Sequence, residues 1–327
     1  MRIAVTGSIA TDHLMTFPGR FAEQLLAGRL DRVSLSFLAD DLEVRRGGVA
    51  ANIAFGLGVL GLRPLLVGAV GADFEPYRIR LKDHGVDTDS VRVSGTLHTA
   101  RFVCTTDRDQ NQIATFYTGA MAEAREIDLR EVVARAGRLD LVLVSPDDPG
   151  AMLRHTRTCR ELGIPFAADP SQQLARLDGG EVRALVEGAR HLFTNEYETA
   201  LLLEKTGWTH AQVLSRVGRW VTTHGDAGVR IRAEGERTLA VPAVPVRDVA
   251  DPTGVGDAFR AGFLAGTLWG VPEKCAAQLG CAVAATVLGS VGTQEYVLDR
   301  ESLVARIRET YGAGCTATLL AHLRALT

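Results

Sequence analysis

The stretch DPTGVGDAFRAGF, residues 251 to 263, places an acid on each side of a glycine loop. Its apolar recurrence at Ala258, Phe259, Gly262 and Phe263 predicts a helix that starts just behind the glycines, which let the backbone turn sharply and approach a ligand. A helix N-terminus offers unpaired N–H groups and roughly half a positive charge, suited to a phosphate oxygen or a developing negative charge. Asp257 falls in that first turn. A lone aspartate there is usually a structural acid matched to the helix dipole. Two carboxylates flanking an anion-binding loop suit phosphoryl transfer better, with the N–H groups of Gly254, Val255, Gly256 and Asp257 holding the phosphoryl oxygens. The dipole predicts a low pKa for Asp257, which a loose transition state tolerates because the attacking hydroxyl is still largely protonated.

The elements that must position this loop read as α/β. From about residue 121 the chain alternates helical patterns with short apolar strands: 141 to 144, 166 to 168, 191 to 194 and 220 to 222. This is the rhythm of a mostly parallel sheet flanked by helices on both faces. Polar loops follow three of these strands, at 169 to 173, at Asn195-Glu196-Tyr197-Glu198 and at Thr223 to Gly228. In open α/β sheets ligands lie at the carboxyl ends of the strands, so the three loops read as one site. Residues 33 to 46 and 99 to 117 instead alternate with period two, and 101 to 105 and 112 to 116 flank a polar turn as a β-hairpin. Residues 2 to 8 form a short strand ending in Gly7-Ser8, with Asp12 in what reads as the following loop. Residues 47 to 60 read as a glycine-started helix leading into a strand at 64 to 68. Within that helix the run GLGVLG at 56 to 61 fits a dinucleotide-binding fingerprint, yet it ends a helix and precedes a strand, the reverse of the required context.

Composition excludes several classes. With 327 residues and 46% hydrophobic content the chain can bury a large core. A net charge of −3, with no long run of like charges, argues against a nucleic-acid partner. Only three of the 36 basic residues are lysines and none completes a Walker motif. The five cysteines, at 104, 159, 275, 281 and 315, form no close pair and read as buried thiols of a reducing cytoplasm rather than as a disulfide or zinc framework. No leader and no long apolar run is apparent, which points to a cytoplasmic protein without a membrane partner. The eight histidines make no metal-binding pair, and no G-x-S-x-G elbow is present.

The 251 to 263 stretch resembles the C-terminal signature of the ribokinase (PfkB-type) family of sugar and nucleoside kinases, and GGVAAN at 47 to 52 resembles its N-terminal one. TGSIATDHLM at 6 to 15 and DPSQQLARL at 169 to 177 bring the likeness nearest to the actinobacterial type of adenosine kinase. It covers essentially the whole chain. The resemblance implies a single ribokinase-like α/β domain over 1 to 327, with a small β-sheet lid inserted from about 9 to 46 and 95 to 120 that covers the substrate and pairs two subunits in a homodimer. It implies ATP and adenosine as substrates, with Asp257 as the acceptor of the 5′-hydroxyl proton. Ser8, Asp12 and Ser36 become candidate sugar contacts, Asp12 because a carboxylate can accept from two vicinal hydroxyls. Gly48 would let the backbone approach the same sugar, and the Asn52 amide can donate to and accept from it. Asn195 and Glu198 resemble the family's magnesium and phosphate motif, with Mg2+ held through water. Thr223, Gly225 and Gly228 resemble its ATP loop. The turn at 289 to 293, with the backbone near Asp251, occupies the place where relatives bind a monovalent cation such as K+.

Phe102 and Phe116, one on each arm of the hairpin, are either lid core or the two sides of a purine slot, with Gln172 and Gln173 as hydrogen-bond partners. A kinase for a free sugar such as ribose or fructose is the alternative within the family. A non-catalytic nucleoside-binding protein on the same fold is the alternative outside it.

Overall fold

A computed structural model describes residues 1–25 and 35–326. Its main sheet has eight strands. Six are parallel, in the spatial order Leu65–Val67, Ile3–Thr6, Leu141–Val144, Phe166–Ala168, His191–Asn195 and Arg219–Thr223. Val229–Arg232 and Leu239–Val241 then extend the sheet antiparallel. Alternate side chains of each strand feed two separate cores, as a sheet covered on both faces requires. Val5, Leu66, Leu143 and Phe193 pack with the helices Val49–Val59, Val255–Trp269 and Glu273–Leu288. Ala4, Leu65, Val142 and Leu192 pack on the other face with helices that include Pro149–Leu162 and Gly179–Val186. Among the described residues no helix is long and apolar enough to cross a membrane.

The chain leaves Ile3–Thr6 toward one edge of the sheet and later returns on its other side at Leu141–Val144. That reversal is a topological switch point, where the carboxyl ends of neighbouring strands open a crevice. Between those strands the chain builds a second sheet of four, ordered Asp41–Gly47, Ala10–Thr16, Ala100–Thr106 and Gln112–Tyr117. The first of these starts later than the period-two alternation from 33 predicts, and residues 33 and 34 lie outside the described residues. One strand is a correction: Asp12 stands within Ala10–Thr16, not in a loop. The polar run Thr11-Asp12-His13 concealed it, because a strand with polar side chains on both faces shows no apolar alternation.

A second correction concerns cysteine. Cys275 and Cys315 form a disulfide, with Cα atoms 5.3 Å apart, whereas Cys104, Cys159 and Cys281 are free and buried. Forty residues separate the pair in sequence, so no short spacing motif announces it. It ties the helix Glu273–Leu288 to the C-terminal segment beside Thr316–Leu320. Closing a loop of that length restricts the unfolded chain, so reduction should lower the unfolding free energy by about 2–4 kcal/mol. Thermal unfolding with and without reductant measures this, and Cys315→Ser should melt like the reduced parent. An unchanged melting temperature on reducing a chain shown by thiol titration to be oxidised would contradict the prediction.

Candidate active site

The helix Val255–Trp269 begins at Gly254, whose φ of +75° lies in the left-handed region. A Cβ there would also stand 2.8 Å from the Thr293 Cγ2, so both conformation and space demand glycine. The N–H groups of Gly254, Gly256 and Asp257 take no protein acceptor among the described residues, and they open onto a cleft of about 1050 Å³. Thr223, Gly225 and Gly228 line the same cleft, as do Asn195 and Glu198. The loops after two parallel strands therefore converge on the start of the 255–269 helix.

Asn195 and Glu198 have a local reason for their spacing. Asn195 Oδ1 accepts from the Glu198 N–H at 2.8 Å, and Glu198 Oε2 accepts from the Asn195 N–H at 2.8 Å. This reciprocal capping box starts the helix Glu196–Thr206. It leaves one carboxylate oxygen of Glu198 and the Asn195 amide nitrogen without a part in the cap. Among the described residues no three acidic, histidine or cysteine side chains cluster as a metal site. A magnesium ion that keeps most of its waters needs no such cluster. The neighbourhood is short of positive charge, with Asp257, Asp169 and Glu198 near a single Arg260. That excess of carboxylate fits a hydrated divalent cation.

Asp257 is held from across a helix interface. Asn52, on Val49–Val59, donates through Nδ2 to Asp257 Oδ2 at 2.9 Å. The Asn52 Oδ1 accepts from Thr293 Oγ1 at 2.9 Å and from Gln294 Nε2 at 2.8 Å. Asn52 is thus committed to orienting Asp257, with one amide hydrogen left for a ligand. The expected low pKa of Asp257 is corrected. Desolvation raises it to about 6, against lowering by Arg260 and the Asn52 hydrogen bond and with further raising by Asp169. The dipole argument neglected what burial costs a carboxylate.

Ser8 Oγ accepts from the Val49 N–H at 3.0 Å, so it serves the start of that helix and keeps its own hydrogen and a second lone pair. Gly48 has φ +92°, and a Cβ would stand 2.6 Å from the Ser8 carbonyl oxygen and the Ala10 nitrogen. Close packing of the Ser8–Ala10 backbone explains that glycine without a ligand.

On the lid, Arg45, Asp12, Phe102 and Phe116 are register partners across four strands. All four side chains therefore share one face. Arg45 Nη1 reaches Asp251 Oδ2 at 3.3 Å, which turns this face toward the 251–257 loop. Asp12 has its pKa raised by burial, partly offset by Arg45 and raised further by Asp251. Phe102 and Phe116 stand side by side on one face, so within one chain they are not the two sides of a slot. Phe116 is 49% exposed. Ser36 is exposed in the segment ahead of Asp41–Gly47. Gln173 is buried and its Oε1 has no partner among the described residues, whereas Gln172 is exposed and accepts from Ser171 Oγ. Asp251 also accepts from the N–H groups of Thr253 and Gly292, which brings it beside the 289–293 turn.

Sequence reasoning missed the pair Arg260–Asp169. Arg260 Nη2 donates to Asp169 Oδ1 at 2.7 Å, and both side chains are buried. Asp169 is raised to about 6, by desolvation first, against lowering by Arg260. The signal was an arginine at an otherwise apolar helix position, one turn after Asp257.

An open α/β sheet, a glycine-opened helix N-terminus bearing a buried carboxylate and a second sheet tied to its loop form a crevice suited to an anionic ligand. Residues 6–300 match the model of the pfkB family carbohydrate kinases, and the chain belongs to that family. It is 32% identical over 269 residues to the nucleoside kinase of Methanothermobacter thermautotrophicus, covering 81% of this chain and 85% of that one. It is also 32% identical over 225 residues to the ATP-dependent ribose-1-phosphate kinase of Halopiger xanaduensis, with 67% and 72% covered. The nucleoside kinase of Burkholderia thailandensis in complex with inosine superposes with a TM-score of 0.82 at 36% identity, over 96% of this chain and 99% of that one. The same protein in complex with ADP-inosine gives 0.80, over 96% and 97%.

Proposed function

We propose that the protein transfers the γ-phosphoryl group of ATP to the 5′-hydroxyl of a purine nucleoside, adenosine foremost. The observation that carries this reading is the position of Asp257. It lines the cleft with Asn195, Glu198, Thr223, Gly225 and Gly228, and Asp251 at the start of its loop is bonded to Arg45 on the lid face that holds Asp12 and two phenylalanines. Asp257 accepts the hydroxyl proton and orients the oxygen. The free N–H groups of Gly254, Gly256 and Asp257 take the phosphoryl oxygens as charge spreads over them. Asp12 accepts from the ribose hydroxyls, with Ser8 and Ser36 as further sugar contacts, and Phe102 and Phe116 form a wall for the base. Gln173, whose buried Oε1 lacks a partner, and Gln172 are the candidate readers of the base edge. Thr223, Gly225 and Gly228 hold the ATP. Bound magnesium, held through water by Asn195 and Glu198, would neutralise charge on the ATP phosphates. The Asp251 and Gly292 segments are the candidate place for K+.

A second copy of the chain belongs to this reading. The lid face away from Asp12 exposes Leu42, Val44, Ile113 and Tyr117. A homodimer through the lid would cover them. The relatives support a nucleoside over a free sugar, since two are nucleoside kinases and one of these is seen with inosine. The ribose-1-phosphate kinase keeps a sugar acceptor as the competing reading.

A coupled ADP-release assay across adenosine, inosine, guanosine, ribose, ribose-1-phosphate and fructose separates the two. Adenosine should exceed ribose in kcat/KM by at least about a hundredfold, because an empty base site leaves polar groups unpaired. Equal efficiency with ribose or ribose-1-phosphate would contradict the nucleoside reading.

Asp257→Asn keeps the shape but not the proton acceptor, so kcat should fall by roughly 10² to 10⁴ with nucleoside affinity little changed. The active form carries an ionised Asp257, whose pKa near 6 means that parent kcat should decline as pH falls through about 6. The residual activity of the variant should lack that acid limb. A variant that retains the parent rate, or the same limb, would remove Asp257 from the role.

A further inference from the structure

Arg260 stands one helical turn beyond Asp257, and the chemistry described above makes no use of it. Helical side chains lean back toward the N-terminus of their helix. Four residues back from Arg260 is Gly256, where a Cβ would come 2.9 Å from the guanidinium Nη1. The guanidinium therefore lies over the first turn, in space that only a glycine leaves open. Its opposite edge is fixed: Nη2 donates to Asp169 Oδ1 at 2.7 Å, and Nε lies 2.6 Å from Asp169 Oδ2. Its plane rests over the Phe193 ring, 5.5 Å from the centroid. Arg260 is only 7% exposed, yet it lines the cleft, and Nη1 makes no hydrogen bond to any described residue.

A guanidinium laid over the positive end of a helix is repelled by the dipole. A salt bridge that served packing alone could have been placed further along the helix, and it would not need a free nitrogen at the anion-binding turn. A rigid donor beside unpaired N–H groups is the arrangement that receives an anionic oxygen.

We propose that Arg260 is a catalytic residue, with Nη1 donating to an oxygen of the phosphoryl group in flight, and that Asp169 is its positioning residue. This rests on the phosphoryl-transfer reading above. In that step the nucleoside O5′ forms a bond to the γ-phosphorus, and the bond from that phosphorus to the bridging oxygen breaks. The electron pair leaves on ADP and the hydroxyl proton passes to Asp257. Arg260 gains and loses no proton. It holds charge on the equatorial oxygens, beside the N–H groups of Gly254, Gly256 and Asp257.

The test is calorimetric, comparing ADP alone with ADP, adenosine, magnesium and aluminium fluoride, which mimics the planar phosphoryl group. In the parent, aluminium fluoride should tighten ADP binding markedly. In R260Q the affinity for ADP alone should stay within about threefold of the parent, while the tightening and kcat each fall by about 10² or more. The KM for adenosine should change only a few-fold. R260Q leaves the buried Asp169 without its cation and can fail to fold. The double variant R260Q/D169N removes that stranded charge, and R260K keeps the cation without the planar fork. Both should lose most of the tightening. Parent-like tightening and kcat in R260K, or in the double variant, would overturn the proposal and leave the pair structural. A parent that shows no tightening at all would overturn the phosphoryl-transfer reading, and this inference with it.

Discussion

The hydrogen bond from Asn52 to Asp257 joins two distant parts of the chain, and the geometry of the site hangs on it. A carboxylate that has lost water must find partners or lose its charge. Asp257 finds one in an amide whose own oxygen is fixed by Thr293 and Gln294. The helices bearing the two residues can come that close because Gly56 leaves room at their contact. A Cβ on Gly56 would stand 2.7 Å from the Ala261 Cβ, and at the neighbouring contact with Glu273–Leu288 one on Gly262 would stand 2.8 Å from the Gly280 Cα. Small residues at the helix contacts and a polar clasp at the helix starts thus form one constraint. The first allows the approach and the second uses it to aim a carboxylate.

The lid is tied into the same constraint through Arg45. Its guanidinium joins the lid strand Asp41–Gly47 to Asp251, whose carboxylate also receives the Thr253 and Gly292 N–H groups. Desolvation pulls the pKa of Asp251 up, but these donors and Arg45 outweigh it, so the net shift is downward and the group stays ionised. One carboxylate thereby anchors the lid, the 289–293 turn and the loop that opens the 255–269 helix. Asp12, the register partner of Arg45 on the same lid face, is held within the field of Arg45 and Asp251 by that anchor.

Much of this was legible in the sequence where local rules suffice. The glycine loop, the helix behind it, the parallel strands and the hairpin at 101 to 116 all follow from periodicity and turn chemistry over short windows. What stayed hidden depends on residues far apart. The Ala10–Thr16 strand begins with the polar run Thr11-Asp12-His13, so pattern alone makes it a loop. The bridge between Cys275 and Cys315 and the pair Arg260–Asp169 span 40 and 91 residues, beyond the reach of any spacing motif. The Asn195–Glu198 pair was visible as a motif, but the fact that these residues lining the cleft also cap a helix was not. The pKa of Asp257 was misjudged because a dipole can be read from a sequence and desolvation cannot.

In the proposed reaction one chain brings a nucleoside hydroxyl and the γ-phosphate of ATP together at Asp257. Its most direct test is to supply adenosine and ATP carrying heavy oxygen on the γ-phosphate, and to follow the label by mass spectrometry. The account predicts labelled adenosine 5′-monophosphate formed in step with ADP, and no ADP in the absence of an acceptor. Label found only in inorganic phosphate, or on a sugar hydroxyl other than the 5′, would contradict it.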